Sequence, residues 1–125
     1  MRKSIGKYPE NWSAIATHIK DDAAWQCVRC GHEHDPQNGY CLTVHHLDMN
    51  PANCEWWNCP ALCQKCHLQI QHKVDMNRYY MFDHSEWFKP YLAGYNAHLL
   101  GERTDKEYIM NNLERLIKSR GKNEI

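Results

Sequence analysis

Apolar residues recur along this chain in blocks whose spacing changes from one segment to the next. Near the start, Trp12, Ile15, Ala16 and Ile19 fall at helical spacing with Pro9 at a first-turn position, which predicts a helix ending near Asp21 and Asp22. Residues 25–31 are too short for a regular element and place Gly31 directly after a cysteine, the pattern of a knuckle turn. Asp35-Pro36-Gln37-Asn38-Gly39 is a dense turn signal. It leads into residues 40–45, whose aromatic and β-branched content predicts a strand. Residues 48–58 show no period and read as a compact loop packed down by Trp56 and Trp57. Pro60-Ala61-Leu62 gives a second short strand, and from Cys63 onward a helix carries His67, Leu68, Ile70 and Val74. Residues 79–100 are aromatic-rich and interrupted by Pro90 and Gly94, which leaves their element types open. Finally, Thr104-x-x-Glu107 matches a capping box, and Ile109, Leu113, Leu116 and Ile117 mark one face of a last helix.

The expected fold class is therefore α+β, a small core of two short strands and a helix with flanking N- and C-terminal helices. Residues 1–24 would form an N-terminal helical segment and 25–78 the core. Residues 79–125 would be an aromatic-rich segment and C-terminal helix packed on or extending from it, within one domain overall. There are no internal repeats and no low-complexity segment.

Composition narrows the picture. With 125 residues, 42% of them hydrophobic, the core is modest and a metal staple would help it. Seven cysteines is an odd number, which argues against a fully paired disulfide framework and for metal ligation in a reducing compartment. The basic N-terminus MRKSIGKYPENW is not followed by an apolar run, so no signal peptide is expected. No segment has the length of a membrane span. The expected setting is cytoplasmic, intracellular and soluble, with no membrane partner. Formal net charge is +0, which alone gives no support for a nucleic-acid partner. The distribution is more informative: residues 31–62 contain no Lys or Arg, and every basic residue lies on either side of them. A centre without fixed positive charge can hold a cation and basic flanks can hold a polyanion, although ordinary surface charge would give the same pattern.

Two cysteine pairs, Cys27-x-x-Cys30 and Cys63-x-x-Cys66, have the spacing of a closed tetrahedral zinc site. Redox chemistry is the alternative for a C-x-x-C pair, but no βαβ context surrounds either one. Cys41, Cys54 and Cys59 are left over and suit small buried apolar positions. Nested between the pairs are His45-His46 and Asn58, and His67 follows the last cysteine. Adjacent strand residues point to opposite faces, so two jobs suit the two rings: one ligates a metal and the other acts beside it as a general base. Two ordinary surface histidines are the bland alternative. His67 weighs against it, because the first turn of the following helix can be placed opposite the strand that bears His45. Asn58 suits bracing the loop through backbone hydrogen bonds. His32 and His34 are expected to face solvent, and His18, His84 and His98 carry no pattern.

The runs H-H-L-D-M-N-P-A-N and N-C-P-A-L-C-Q-K-C-H resemble the HNH endonuclease family, which has a ββα-metal fold. They also resemble its subgroup in which two C-x2-C pairs bind a structural zinc around that motif. The resemblance covers roughly residues 25–71. It implies that His45 is a catalytic-metal ligand, that His46 is the general base activating water, and that His67 is the second protein ligand. It gives Asn58 the role of holding the loop and orienting His46, and makes Asn53 a structural residue of that loop. Some members add a third ligand at i+4 from the last His, where this chain has Gln71. His72 at i+5 lies about 140° around an ideal helix and is a poor substitute. With two side-chain ligands the ion keeps several waters, as Mg2+ or Mn2+ prefers, with Ni2+ or Zn2+ left open. The implied substrate is DNA, in double-stranded form, cleaved by a monomer or weak homodimer of the stand-alone kind found in bacteriophages and prophages. Lys65, Lys73, Arg78 and the basic residues of the last helix would be available to phosphates. Activity should fall below pH about 6.5, where an ordinary His gains its proton. The alternative from another class is a non-catalytic zinc-binding module that recognises nucleic acid or protein.

Overall fold

The computed structural model describes residues 8–71, 73–76 and 85–123. The first helix, α1 (Trp12–Asp22), presents Trp12, Ile15, Ala16 and Ile19 as a half-buried face. Pro9 lies ahead of this helix rather than in its first turn, and its carbonyl accepts the Trp12 N–H at 3.0 Å. The helix stops because Ala24 and Trp25 take left-handed backbone angles, φ 54° and 55°, with Trp25 N–H returning to the Lys20 carbonyl. The knuckle follows at once. Gly31 adopts φ +80° and its N–H donates to the Cys27 carbonyl at 2.8 Å, a turn that disfavours any side chain at this position.

A short 3-10 turn (Pro36–Asn38) closed by left-handed Gly39 leads to β1 (Leu42–Val44). After the long loop and a second 3-10 turn (Trp56–Asn58), β2 (Ala61–Cys63) pairs antiparallel with β1. The register sets Leu42 opposite Cys63, Thr43 opposite Leu62 and Val44 opposite Ala61. This ladder is shorter than the sequence pattern suggests for physical reasons. Tyr40 is diverted into a bridge with Asp35, and Pro60 has no N–H to donate, so it contributes only its carbonyl to His45 N–H at 3.2 Å. Cys63 then caps α2 (Gln64–Ile70), its sulfur accepting the Cys66 N–H. Val74 falls beyond the helix but is still buried, while Leu68 is exposed. The molecule is thus a small mixed α+β structure, a two-stranded antiparallel hairpin followed by a helix. Leu42, Leu47, Leu62, Ile70, Val74, Met76 and Phe88 are buried together beneath them.

In the remainder, the segment whose element types the sequence left open is helical from Glu86 onward, and the single last helix expected is split in two. Residues 89–100 form one helix, α3 (Lys89–Leu100), entered through a 3-10 turn (Glu86–Phe88). Pro90 occupies its first turn, where a missing N–H costs nothing, and Gly94 sits in its interior without breaking it. The last segment is two helices, α4 (Lys106–Asn111) and α5 (Leu113–Asn123), separated at Asn112. Its cap is Asp105, whose carboxylate accepts the Tyr108 N–H at 3.2 Å and is held by Arg103, rather than Thr104. An anion at a helix N-terminus is favoured over a hydroxyl by the helix dipole. The Thr104 carbonyl instead accepts Trp56 Nε1–H, at 2.6 Å. Among the described residues no helix is long and apolar enough to cross a membrane.

Candidate metal centres

The four sulfurs of Cys27, Cys30, Cys63 and Cys66 lie within 4.8 Å of one another. Cys30 Sγ and Cys63 Sγ are 3.8 Å apart. That is the edge of a tetrahedron whose centre-to-sulfur distance is about 2.3 Å, the zinc–thiolate bond length. Each pair is turned inward by its own backbone, with Cys30 N–H on Cys27 Sγ and Cys66 N–H on Cys63 Sγ. The two knuckles are joined by Val28 N–H donating to the Ala61 carbonyl at 3.0 Å, which couples the first pair to β2. Burial opposes ionisation of Cys27, yet the N–H groups of Cys30, Cys63 and Arg29 bring it down to about 7. For Cys66 burial dominates and pushes the thiol up to about 12. A set so divided reaches four thiolates together only around a cation, so the donor chemistry fits a zinc ion. Arg29 Nη1, 3.4 Å from Cys66 Sγ, offsets part of the negative charge such a cluster carries.

The histidines gather where β1 ends and α2 begins. His45 leaves the end of β1 and His67 rises from the first turns of α2, and their rings meet with centroids 4.5 Å apart at 55°. His46 lies against α1, its ring 4.9 Å from that of Trp12 and 5.7 Å from that of Tyr8. His45 and His46 are 5% and 7% exposed, and the Nε2 atom of each is buried without a hydrogen-bond partner among the described residues. Burial, with the nearby His67 and His46 rings adding to it, holds His45 down to about 3. Burial also lowers His46, against an opposing pull from the Asp48 carboxylate, and lowers His67. All three imidazoles are therefore neutral at physiological pH, the form that can ligate a metal or take a proton.

Asn58 is fully buried and spends its amide on the loop. Its Oδ1 accepts Asp48 N–H at 3.0 Å, and its Nδ2 donates to Asp48 Oδ1 and to the Asn53 carbonyl, each at 2.9 Å. Asn53 Nδ2 donates to the other Asp48 oxygen at 2.8 Å. The backbone of Asn58 also accepts Leu47 N–H. The segment holding His45 and His46 is thus tied on its C-terminal side to residues 53 and 58.

The other residues singled out by sequence fall outside these two clusters. Cys59 is buried, Cys41 and Cys54 half-buried. His32 is stacked on Tyr40 with centroids 3.5 Å apart, and His34, though exposed, accepts Leu42 N–H on Nδ1. Lys65 lies over the Tyr40 ring and Lys73 is exposed. Gln71 is exposed, with its backbone N–H on the His67 carbonyl. His72, Arg78 and His84 lie outside the described residues. Three participants escaped sequence reasoning. Thr43 has its hydroxyl 2.8 Å from His67 Nδ1, and its signal was only the period-two spacing from His45. The Tyr8 and Trp12 cover over His46 had no local signal at all. No protein-family model matches the chain, and neither a curated protein nor a solved structure matches it.

Proposed function

We propose that the protein is a metal-dependent HNH-type endonuclease that hydrolyses phosphodiester bonds of double-stranded DNA, with a zinc ion in the cysteine cluster as a structural staple. The observation that carries this reading is the convergence of the His45 and His67 rings, one just past the end of a strand and the other from the next helix. His46 is the next residue along the chain, its ring against that of Trp12. In this reading His45 and His67 would hold a divalent ion, Mg2+ or Mn2+, which would supply positive charge for the phosphate and for the leaving 3' oxygen. His46, neutral through burial, takes the proton from the attacking water. Asn58 does not touch substrate: its three side-chain hydrogen bonds fix the loop from which His46 projects. The zinc knuckle at Cys63 and Cys66 sets where α2 begins, and so where His67 stands relative to His45.

One observation favours the other reading, a non-catalytic zinc-binding module for nucleic acid or protein. The His46 ring packs against those of Tyr8 and Trp12 and is only 7% exposed, so little of it meets water. Supercoiled plasmid incubated with the purified protein and Mg2+ or Mn2+ separates the two. The nuclease reading expects nicked or linear product that disappears with EDTA and with His46→Ala. Absence of cleavage under every divalent metal overturns it in favour of the binding module.

A further inference from the structure

We infer that Thr43 is the positioning residue for His67, locking its imidazole as the tautomer protonated on Nδ1 and so presenting a lone pair on Nε2. The argument is a count of protons. Thr43 Oγ1 lies 2.7 Å from the Leu62 carbonyl oxygen, which can only accept, so the single hydroxyl proton is committed there. The same Oγ1 lies 2.8 Å from His67 Nδ1. With its proton spent, the oxygen is an acceptor on that side, and Nδ1 must be the N–H donor. A neutral imidazole carries one such proton, which leaves Nε2 as the atom with the free lone pair.

The placement also explains why a threonine stands at this point of β1. Residue 43 is directly opposite residue 62 in the ladder, which brings its hydroxyl to the partner strand's carbonyl. Two residues later, just past the end of β1, the His45 ring meets that of His67, so Thr43 and His45 both contact it. A ring anchored through one nitrogen to a strand hydroxyl is restricted in both tautomer and orientation. This is the arrangement by which outer residues raise the metal affinity of a ligating histidine, typically by about 10–100-fold. The role as metal positioner rests on the nuclease reading; the tautomer does not.

The test uses full-length 15N-labelled protein as purified, zinc retained and no other metal added, at pH about 8, above the titration range of His. Long-range 1H–15N correlation spectra of the His67 ring should show Nδ1 protonated and Nε2 bare in the wild type and in Thr43→Ser. Thr43→Val, which keeps the β-branched shape and is checked for folding by its thermal melt, should shift the ring toward the other tautomer. Mn2+ titrations should then give affinity weakened about 10–100-fold in Thr43→Val and restored in Thr43→Ser. A wild-type ring protonated on Nε2, or a Thr43→Val ring and Mn2+ affinity identical to wild type, overturns the proposal. Neither readout involves cleavage, so a protein that shows the locked tautomer and does not nick DNA sinks the nuclease reading alone.

Discussion

Gly94 in the middle of α3 lies against the side chain of Trp57 so closely that a β-carbon at position 94 would stand 2.4 Å from Trp57 Cβ and 2.7 Å from its Cγ. Trp57 is 1% exposed and immediately precedes Asn58, the residue that braces the loop behind His46. The third helix therefore rests on the candidate site's supporting loop through the absence of a side chain. A glycine that weakens a helix by propensity is kept there for a tertiary contact.

Replacing Gly94 with Ala sets two effects against each other. Helix propensity favours Ala by about 1 kcal/mol. Overpacking at a site where the opposing atoms are the root of a buried indole costs roughly 1–3 kcal/mol, because Trp57 cannot swing its Cβ away. The clash is expected to win, giving a lower melting temperature by circular dichroism. A Gly94→Ala protein that melts at or above the wild-type temperature would mean that α3 is not seated on the loop in this way.

The same helix shows where the sequence was silent. Pro90 and Gly94 are punctuation by local rules; the helix bounds show that Pro90 starts the helix, and the contact with Trp57 shows that Gly94 fits it to its neighbour. Asp105 and Thr104 are both good cap residues one position apart; the choice was made by a carboxylate held by Arg103 and by the use of the Thr104 carbonyl for Trp56. The cysteine pairs were legible because knuckle spacing is a local property, and the hairpin and second helix because their patterns are short and strong. The cover on His46 was not legible, since Tyr8 and Trp12 reach it from another element with no periodic relation to it. Thr43 fell between these cases, on the right face but without a reason to be noticed until His67 was placed beside it.

Zinc should be a condition of folding rather than an accessory. Zinc affinities of four-ligand sites are on the order of 10–16 kcal/mol in small peptides, comparable to or above the roughly 5–15 kcal/mol stability of a whole domain. Both knuckles and the start of α2 are built on the cluster. The purified protein is expected to contain one zinc per chain by elemental analysis and to lose its cooperative melt when a strong chelator removes it. Cys63→Ala should lose both zinc and the transition, whereas His46→Ala should keep both. A zinc-free wild type with an unchanged melt would show the cluster to be dispensable.

The acid limb of activity tests the aromatic cover. Burial holds His46 below its ordinary value of 6.5, with Asp48 opposing the shift. A general base works only when neutral, so activity is present above the lowered pKa and lost as pH falls through it. The midpoint of the acid limb of kcat/KM, measured with Mn2+, should therefore lie below about 6.5. Stability follows the same sign. An unfolded chain takes protons on these imidazoles at about 6.5 while the folded one refuses them, so the unfolded state binds more protons and folding weakens as pH drops. His45, held to about 3, carries that window well into the acid range. Trp12→Ala removes the ring packed 4.9 Å from His46 and readmits water to it. The limb of this variant should move up toward about 6.5, the value of a solvated imidazole. If it stays where the wild type has it, the cover is not what keeps His46 neutral, and the lowered pKa must come from the loop side.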